Sequence, residues 1–318
     1  MHQLVRDYFV PSFHLQTLND SAVLEGITAG RIALTTDSYV ISPYFFPGGD
    51  IGLLSVCGTV NDLSMAGARP LYLTTGFILE EGMPMEDLKR ILASMKAVAD
   101  EINVKIVAGD TKVVERGKGD GIYINTAGIG IVDEGIDLSP ERIRPGDKII
   151  LSGSIGNHGM AVMAERSGIS FDPPLLSDVC ALNSLVKTML AITREIRVLR
   201  DPTRGGVATT LKEFAADSAC CMMIDEEAIQ VLPGVQGACD LLGLDPLYVA
   251  NEGILLAVVA PHVADELVMA MRKTKAGAEA VVIGEVAEQP QQMVLLRTRI
   301  GGSRIIDMIT GEQLPRIC

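Results

Sequence analysis

The segment DLSPERIRPGDKI, residues 137–149, decides how the chain is divided. Two prolines and a glycine fall between a strand candidate ending near Val132 and another opening at Lys148, and such punctuation reads as a linker. A chain of 318 residues also exceeds the size at which one hydrophobic core stops growing, so two domains are expected. We place them at 1–138 and 139–308, with 309–318 as a mobile tail. Strand candidates are Arg31–Leu34, Val104–Ala108, Gly121–Val132, Lys148–Ser152 and Ile254–Ala260. They alternate with helical patterns, so each half is an α/β or α+β unit. The clearest helix is PMEDLKRILASMKAVADEIN, 84–103, where Leu88, Ile91, Leu92, Met95, Val98, Ala99 and Ile102 keep a 3.6-residue period and Pro84 suits the first turn. Others are expected around Leu182–Leu190, over Gly206–Asp217 and from about Pro261. No short-period repeat is present.

Composition narrows the function. The net charge of −13 argues against nucleic acid, whose phosphates need neutralising cations. The longest apolar run, Ile254 to Pro261, is too short to span a bilayer. Six cysteines occur without a CxxC pair, which fits reduced thiols and a cytoplasmic location. The chain carries no Walker A sequence, and no GxGxxG follows a strand, so phosphate-loop and dinucleotide folds lose support.

Short acidic and glycine-rich segments take their place, read as turns at strand ends. They are TTDSY with Asp37, PGGDIG with Asp50, GTVNDLSMAG with Asn61 and Asp62, and VAGDTKVV with Asp110 and Lys112. Converging carboxylates would supply hard oxygen ligands for Mg²⁺, and Lys112 would balance phosphate charge. Each Asp equally serves as a helix cap or a turn closer. In the second half, LSGSIGNHGM surrounds His158 with Gly153, Gly156 and Gly159 at a helix start, a place for an anion or simply for a polar cap. RDPTRGGV offers Asp201, Thr203 and Arg204 before another helix start. ANEGILL puts Asn251 and Glu252 ahead of an apolar strand, where burial would raise a carboxyl pKa and suit it to proton transfer, or merely cap the strand. The chain ends in ITGEQLPRIC, without periodicity. By itself a terminal Cys318 means little.

Taken together and in this order, TDSYVISPYFFPGGDIG, CGTVND, GFILEEG, GDTKVV, INTAGIG, RDPTRGGV, ANEG and the final PRIC resemble the HypE family of hydrogenase maturation factors. That family belongs to the superfamily of aminoimidazole ribonucleotide synthetase, selenophosphate synthetase and thiamine-monophosphate kinase. The likeness runs from about Ala33 to Cys318, and the first long segment together with PRIC is its most particular part. The resemblance implies a two-domain PurM-like α/β (α+β) fold, and a homodimer whose N-terminal strands build a shared β-barrel. It also implies ATP and Mg²⁺ bound in a cleft.

By matching positions, Asp37, Asp62 and Asp110 would hold the metal and phosphates, with Asn61 beside them; Asp50 is a weaker match. Lys112 would contact ATP, Thr126 would shape that site, and His158, Arg204, Asn251 and Glu252 would line the cleft that receives the tail. Cys318 would carry a carbamoyl group delivered by a HypF carbamoyltransferase. An ATP-dependent carbamoyl dehydratase would convert it to thiocyanate, with Glu252 as base and His158 second, and pass cyanide to a HypC–HypD complex. A glycine-rich segment that the family carries before its first helix is not found here, so that Met1 is expected to fall inside that helix. Rival readings are a small-molecule kinase or synthetase of the same superfamily, and a non-enzymatic scaffold that docks through PRIC.

Overall fold

The computed structural model describes residues 30–308 and 317. The helix expected at Met1, most of the expected tail, and Cys318 lie outside the described residues. Two mixed sheets organise the rest. The first has four strands in the order β1 (Arg31–Tyr39), β6 (Ile122–Val132), β4 (Ala68–Glu80) and β5 (Lys105–Val114). Its strands pair antiparallel except β4 with β5, which run parallel across the connecting helix. The minor pair β2 (Phe45–Phe46) and β3 (Gly49–Asp50) leads into helix α1 (Ile51–Met65).

Helix α1 and helix α2 (Met85–Glu101) share one face of this sheet. In α2 the periodic residues Leu88, Ile91, Leu92, Met95, Val98 and Ala99 are all buried, as the sequence pattern requires. Helix α1 is different. Only Leu53 and Asp62 of its fifteen residues escape burial, because it lies between the first sheet and elements of the second half. A helix covered on all sides has no amphipathic stripe, and this one also carries Gly52, Gly58 and several β-branched residues.

The second sheet has seven strands in the order β13 (Ser303–Ile306), β12 (Val294–Arg297), β9 (Cys221–Asp225), β11 (Val281–Ala287), β7 (Lys148–Leu151), β10 (Leu256–Val259) and β8 (Ile196–Arg200). Only β12 with β9 is parallel. Both faces are covered. Ile149, Leu151, Leu256 and Val258 join the core beneath helix α5 (Gly206–Ser218). Their alternates Ile150, Ala257 and Val259 meet helices α4 (Asn183–Ile192) and α7 (Ala264–Met271) on the other side. That two-sided burial explains the unbroken apolar run around β10. Helices α3 (Asn157–Ser167) and α6 (Pro233–Leu242) complete the half.

Three sequence expectations change. The segment around Asn61 and Asp62 is the last turn of α1, not a turn at a strand end, since full burial replaced the usual periodic signal. Asp37 and Asp110 sit within strands β1 and β5, not at their ends. Asp50 is the N-cap of α1, its Oδ1 accepting from the backbone N–H groups of Gly52 and Leu53 at 2.7 and 3.0 Å and from Ser94 Oγ at 2.6 Å. The capping alternative is the one realised there.

Candidate active site between the two halves

Asp37, Asp62, Asp201 and Glu252 line a single cavity of about 180 Å³, together with Tyr39, Gly58, Thr203 and Arg204. Each arrives from a different element. Asp37 lies on the α1 side of β1, the same side as Thr35 and Tyr39. Asp62 comes from α1, and its Oδ2 accepts from Thr35 Oγ1 at 2.9 Å. Asp201 follows directly after β8. The turn after it needs Gly206 at φ +61, where a side chain would strike the carbonyls of Leu247 and Val249. Glu252 stands four residues before β10.

These carboxyl groups disturb one another. Burial, and secondarily the Asp37 charge, raise the Asp62 pKa, with Thr35 and Arg200 opposing. Burial and then Asp62 push Asp201 up to about 7. Glu252 is 3% exposed, and burial followed by Asp201, Asp178, Asp37 and Asp62 holds its carboxyl well above the ordinary range. Its Oε1 has no hydrogen-bond partner. Crowded hard oxygens of this kind suit a divalent cation, which would relieve their mutual repulsion. Among the described residues, however, no three His, Cys, Asp or Glu side chains form a closed cage. Asp37 and Asp62 could hold only an ion that takes one or two carboxylates from the protein and completes its shell with water and substrate phosphate.

Asp110 and Lys112 are elsewhere. The register aligns Ser38, Asn125, Gly76 and Asp110 in one row across the four strands. Three strand spacings put Asp110 roughly 14 Å from Ser38, and it faces away from α1. Asp110 and Lys112 pair at 2.8 Å, both exposed, and the lysine holds the Asp110 carboxyl below its usual range. With Tyr123, Asn125, Ile78 and Phe77 they line a second cavity of about 430 Å³. Its apolar wall and single lysine fit a nucleotide better than a bare ion. Ser38 and Tyr39 border both cavities. The chain therefore brings Asp37 and Asp62 together and leaves Asp110 apart from them.

Three of the expected site residues, Asn61, Asn251 and Thr126, make hydrogen bonds within the chain. Asn61 is fully buried, accepts from Leu182 N at 2.8 Å, and donates to the carbonyls of Cys180 at 3.1 Å and Glu252 at 3.4 Å. Asn251 accepts from Gly156 N at 2.7 Å and donates to the carbonyls of Pro202 and Val249. Thr126 is buried under α1, hydrogen-bonded to Thr59 and donating to the Ser55 carbonyl, while its neighbour Asn125 lines the larger cavity. Arg204 is exposed at the rim of the smaller one.

His158 is the second residue of α3 and fully buried. Its Nδ1 is 2.8 Å from Ser177 Oγ and its Nε2 is 2.5 Å from the carbonyl of Ile317. Burial lowers its pKa to about 4, so it is neutral near pH 7, and both ring nitrogens are engaged. That leaves no free lone pair for service as a second base. Ile317 itself is 5% exposed, bridges antiparallel to Ile41, and packs in the core of the first half. The residue next to the expected carrier Cys318 is thus docked two positions beyond Tyr39 on the cavity wall. Cys318 lies outside the described residues.

The sequence reading missed Ser177 and Asp178. The Asp178 carboxylate accepts from the backbone N–H groups of Glu252 and Gly253 at 3.1 and 2.9 Å, and burial pushes its pKa up to about 6. Gly253 is required there, since a Cβ would stand 1.7 Å from the Asp178 carbonyl. The available signal was a polar Ser-Asp pair inside the otherwise apolar PPLLSDVCAL stretch.

The AIR synthase related protein N-terminal domain family matches residues 18–132, and the AIR synthase related protein C-terminal domain family matches 144–296. The chain is 54% identical over 319 residues to carbamoyl dehydratase HypE of Cupriavidus necator, covering 99% of this chain and 91% of that one. It is similar to a crystal structure of hydrogenase maturation protein HypE in complex with ATP, with a TM-score of 0.95 and 46% identity, over 100% of this chain and 96% of the other. A crystal structure of a HypE–HypF complex matches with a TM-score of 0.85 and 47% identity, over 96% of this chain and 99% of that one.

Proposed function

This chain belongs to the HypE family of carbamoyl dehydratases, and we propose that it dehydrates an S-carbamoyl group on its own Cys318 to thiocyanate, using ATP, for hydrogenase maturation. The observation that carries this reading is the docking of Ile317, one peptide bond from Cys318, against Ile41 and His158 beside the carboxyl-lined cavity. A kinase or synthetase acting on a free small molecule has no use for that docking, and neither has a tail that only recruits a partner.

The chemistry is demanding because oxide is a very poor leaving group. The thiocarbamate S–C(=O)–NH₂ reacts with ATP to give S–C≡N, ADP, phosphate and one proton. The amide oxygen takes the γ-phosphoryl group, forming O–P and breaking the bond to ADP. Loss of the nitrogen protons then closes C≡N and breaks C–O, and the oxygen departs in phosphate. Mg²⁺, when bound, supplies positive charge against the triphosphate and the surrounding carboxylates.

In this reading Asp37 and Asp62 would hold that ion, Lys112 and Asp110 would belong to the nucleotide subsite, and Arg204 would face phosphate from the rim. Glu252 exchanges protons with the carbamoyl nitrogen. Glu252 lines the cavity, its buried Oε1 has no hydrogen-bond partner, and its raised pKa brings it toward that of the group it must deprotonate. Asn61 and Asn251 fix the backbone that presents it.

Residues 1–138 are taken as the N-terminal ATP-binding and dimerisation domain, 139–308 as the C-terminal domain and 309–318 as the tail that ends in Cys318. Ile32 and Leu34 are exposed on the sheet face opposite α1, at the end away from the larger cavity, and a second copy covering them gives the expected homodimer with its strand barrel. A HypF carbamoyltransferase loads the tail. A HypC–HypD complex would accept the cyanide, and the setting would be cytoplasmic. No helix among the described residues is long and apolar enough to cross a membrane.

Oxygen transfer tests the reading. With ¹⁸O in the carbamoyl group, the label should appear in inorganic phosphate, one atom per thiocyanate formed. Label retained on the tail, or released to water, would reject phosphoryl activation of the amide.

A further inference from the structure

We infer that Ser177 and His158 form a clamp that grips the carbonyl of Ile317 and so anchors the tail one residue before the expected carrier, which makes them positioning residues. The inference rests on the tail-dehydration reading, but its central test does not need that reaction.

The hydrogen-bond directions are fixed from both ends. A carbonyl only accepts, so His158 Nε2 must carry the proton that meets Ile317. A neutral imidazole then leaves Nδ1 as an acceptor. At the other end, Val179 N donates to Ser177 Oγ at 3.1 Å, leaving the Ser177 O–H to donate to Nδ1 at 2.8 Å. Chain and tail thus agree on one tautomer, relayed from a backbone N–H through a hydroxyl and a ring to a backbone carbonyl. Phe46 meets the His158 ring edge to face at 5.4 Å and keeps it from turning.

The clamp is also tied to the site. The next residue, Asp178, binds the backbone of Glu252 and Gly253, and Gly159 N donates to the Ala250 carbonyl at 3.1 Å. A shift of the 177–178 segment therefore moves the tail anchor and the proposed proton-transfer group together. The contact to Ile317 is a main-chain one, so the clamp reads chain position and not a side chain.

The test uses the full chain without ATP or carbamoyl donor, and follows alkylation of the terminal thiol by a maleimide in the C-terminal peptide by mass spectrometry. His158→Met fills the buried space without a donor and should raise the alkylation rate about tenfold, the factor one lost hydrogen bond is worth. His158→Gln can donate from a similar reach and should restore protection. Adding Ser177→Ala to His158→Gln should change nothing further, whereas Ser177→Ala alone should loosen the tail. Met and wild-type proteins alkylated at the same rate, or a Gln variant as fast as the Met variant, would overturn the clamp. If protection behaves as expected and loaded wild-type protein never dehydrates, the clamp stands and the dehydratase reading falls.

Discussion

Replacing Asn61 by alanine separates a ligand contact from an internal tie. The side chain makes three hydrogen bonds, to Leu182 N, the Cys180 carbonyl and the Glu252 carbonyl. All are in the buried seam between α1 and the second half. At about 1 kcal/mol net for each bond the loss is about 3 kcal/mol, and the Leu182 N–H, left buried without an acceptor, pushes the figure toward about 4 kcal/mol. Asn61→Asp keeps an acceptor for Leu182 but loses both donations, and it buries a carboxyl. Its loss should be at least 2 kcal/mol.

Urea unfolding of the nucleotide-free chain gives the measurement, read from the midpoint and slope. ATP affinity of the folded fraction should change little by comparison. An Asn61→Ala protein within about 1 kcal/mol of wild type, yet with ATP binding weakened tenfold or more, would show that the amide serves the nucleotide and that the tie is incidental.

Three further outcomes follow from the site. Glu252→Gln should keep nucleotide binding and slow dehydration by about 10²- to 10⁴-fold in single turnover, and turnover at the wild-type rate would remove Glu252 from proton transfer. The His158 pKa in the folded chain, about 4, lies below its ordinary 6.5, so its contribution to stability is complete above pH 6.5 and is lost as pH falls toward 4, by roughly 3 kcal/mol; the difference in urea midpoints between wild type and His158→Gln should therefore shrink across that window, and a constant difference would contradict the buried neutral ring. Mg²⁺ should raise the melting temperature of the nucleotide-free protein, corresponding to about 2.7 kcal/mol at a hundredfold excess over its dissociation constant, and Asp62→Asn should abolish most of the shift; an undiminished shift would place the ion elsewhere.

Much of the architecture was legible because periodicity survives where an element has one wet face. Helix α2 keeps its apolar stripe over a polar back, and both its register and its limits were readable. Helix α1 was not, since a helix buried on every side offers no contrast, and its glycines and β-branched residues imitate a strand and turn. Strand β4, thirteen residues long, was missed for another reason: Pro70 and Gly76 punctuate it, and a register shift beside Pro70 absorbs the first.

The site divides along similar lines. Asp37, Asp62 and Glu252 announced themselves as carboxyls near glycines or apolar runs, and they do line one cavity. Whether a polar side chain faces the cavity or ties two segments together depends on the partner segment, which sequence spacing alone does not report. The internal hydrogen bonds of Asn61 and Asn251 therefore could not be read from the sequence, and Ser177 and Asp178, in a loop after two prolines, gave little signal.

After loading by a HypF carbamoyltransferase with carbamoyl phosphate and ATP, the C-terminal peptide should carry one carbamoyl group on Cys318. It should then lose the mass of one water when the purified loaded protein receives ATP and Mg²⁺. A loaded peptide whose mass never changes, or nitrile formation undiminished in Cys318→Ser, would contradict the account.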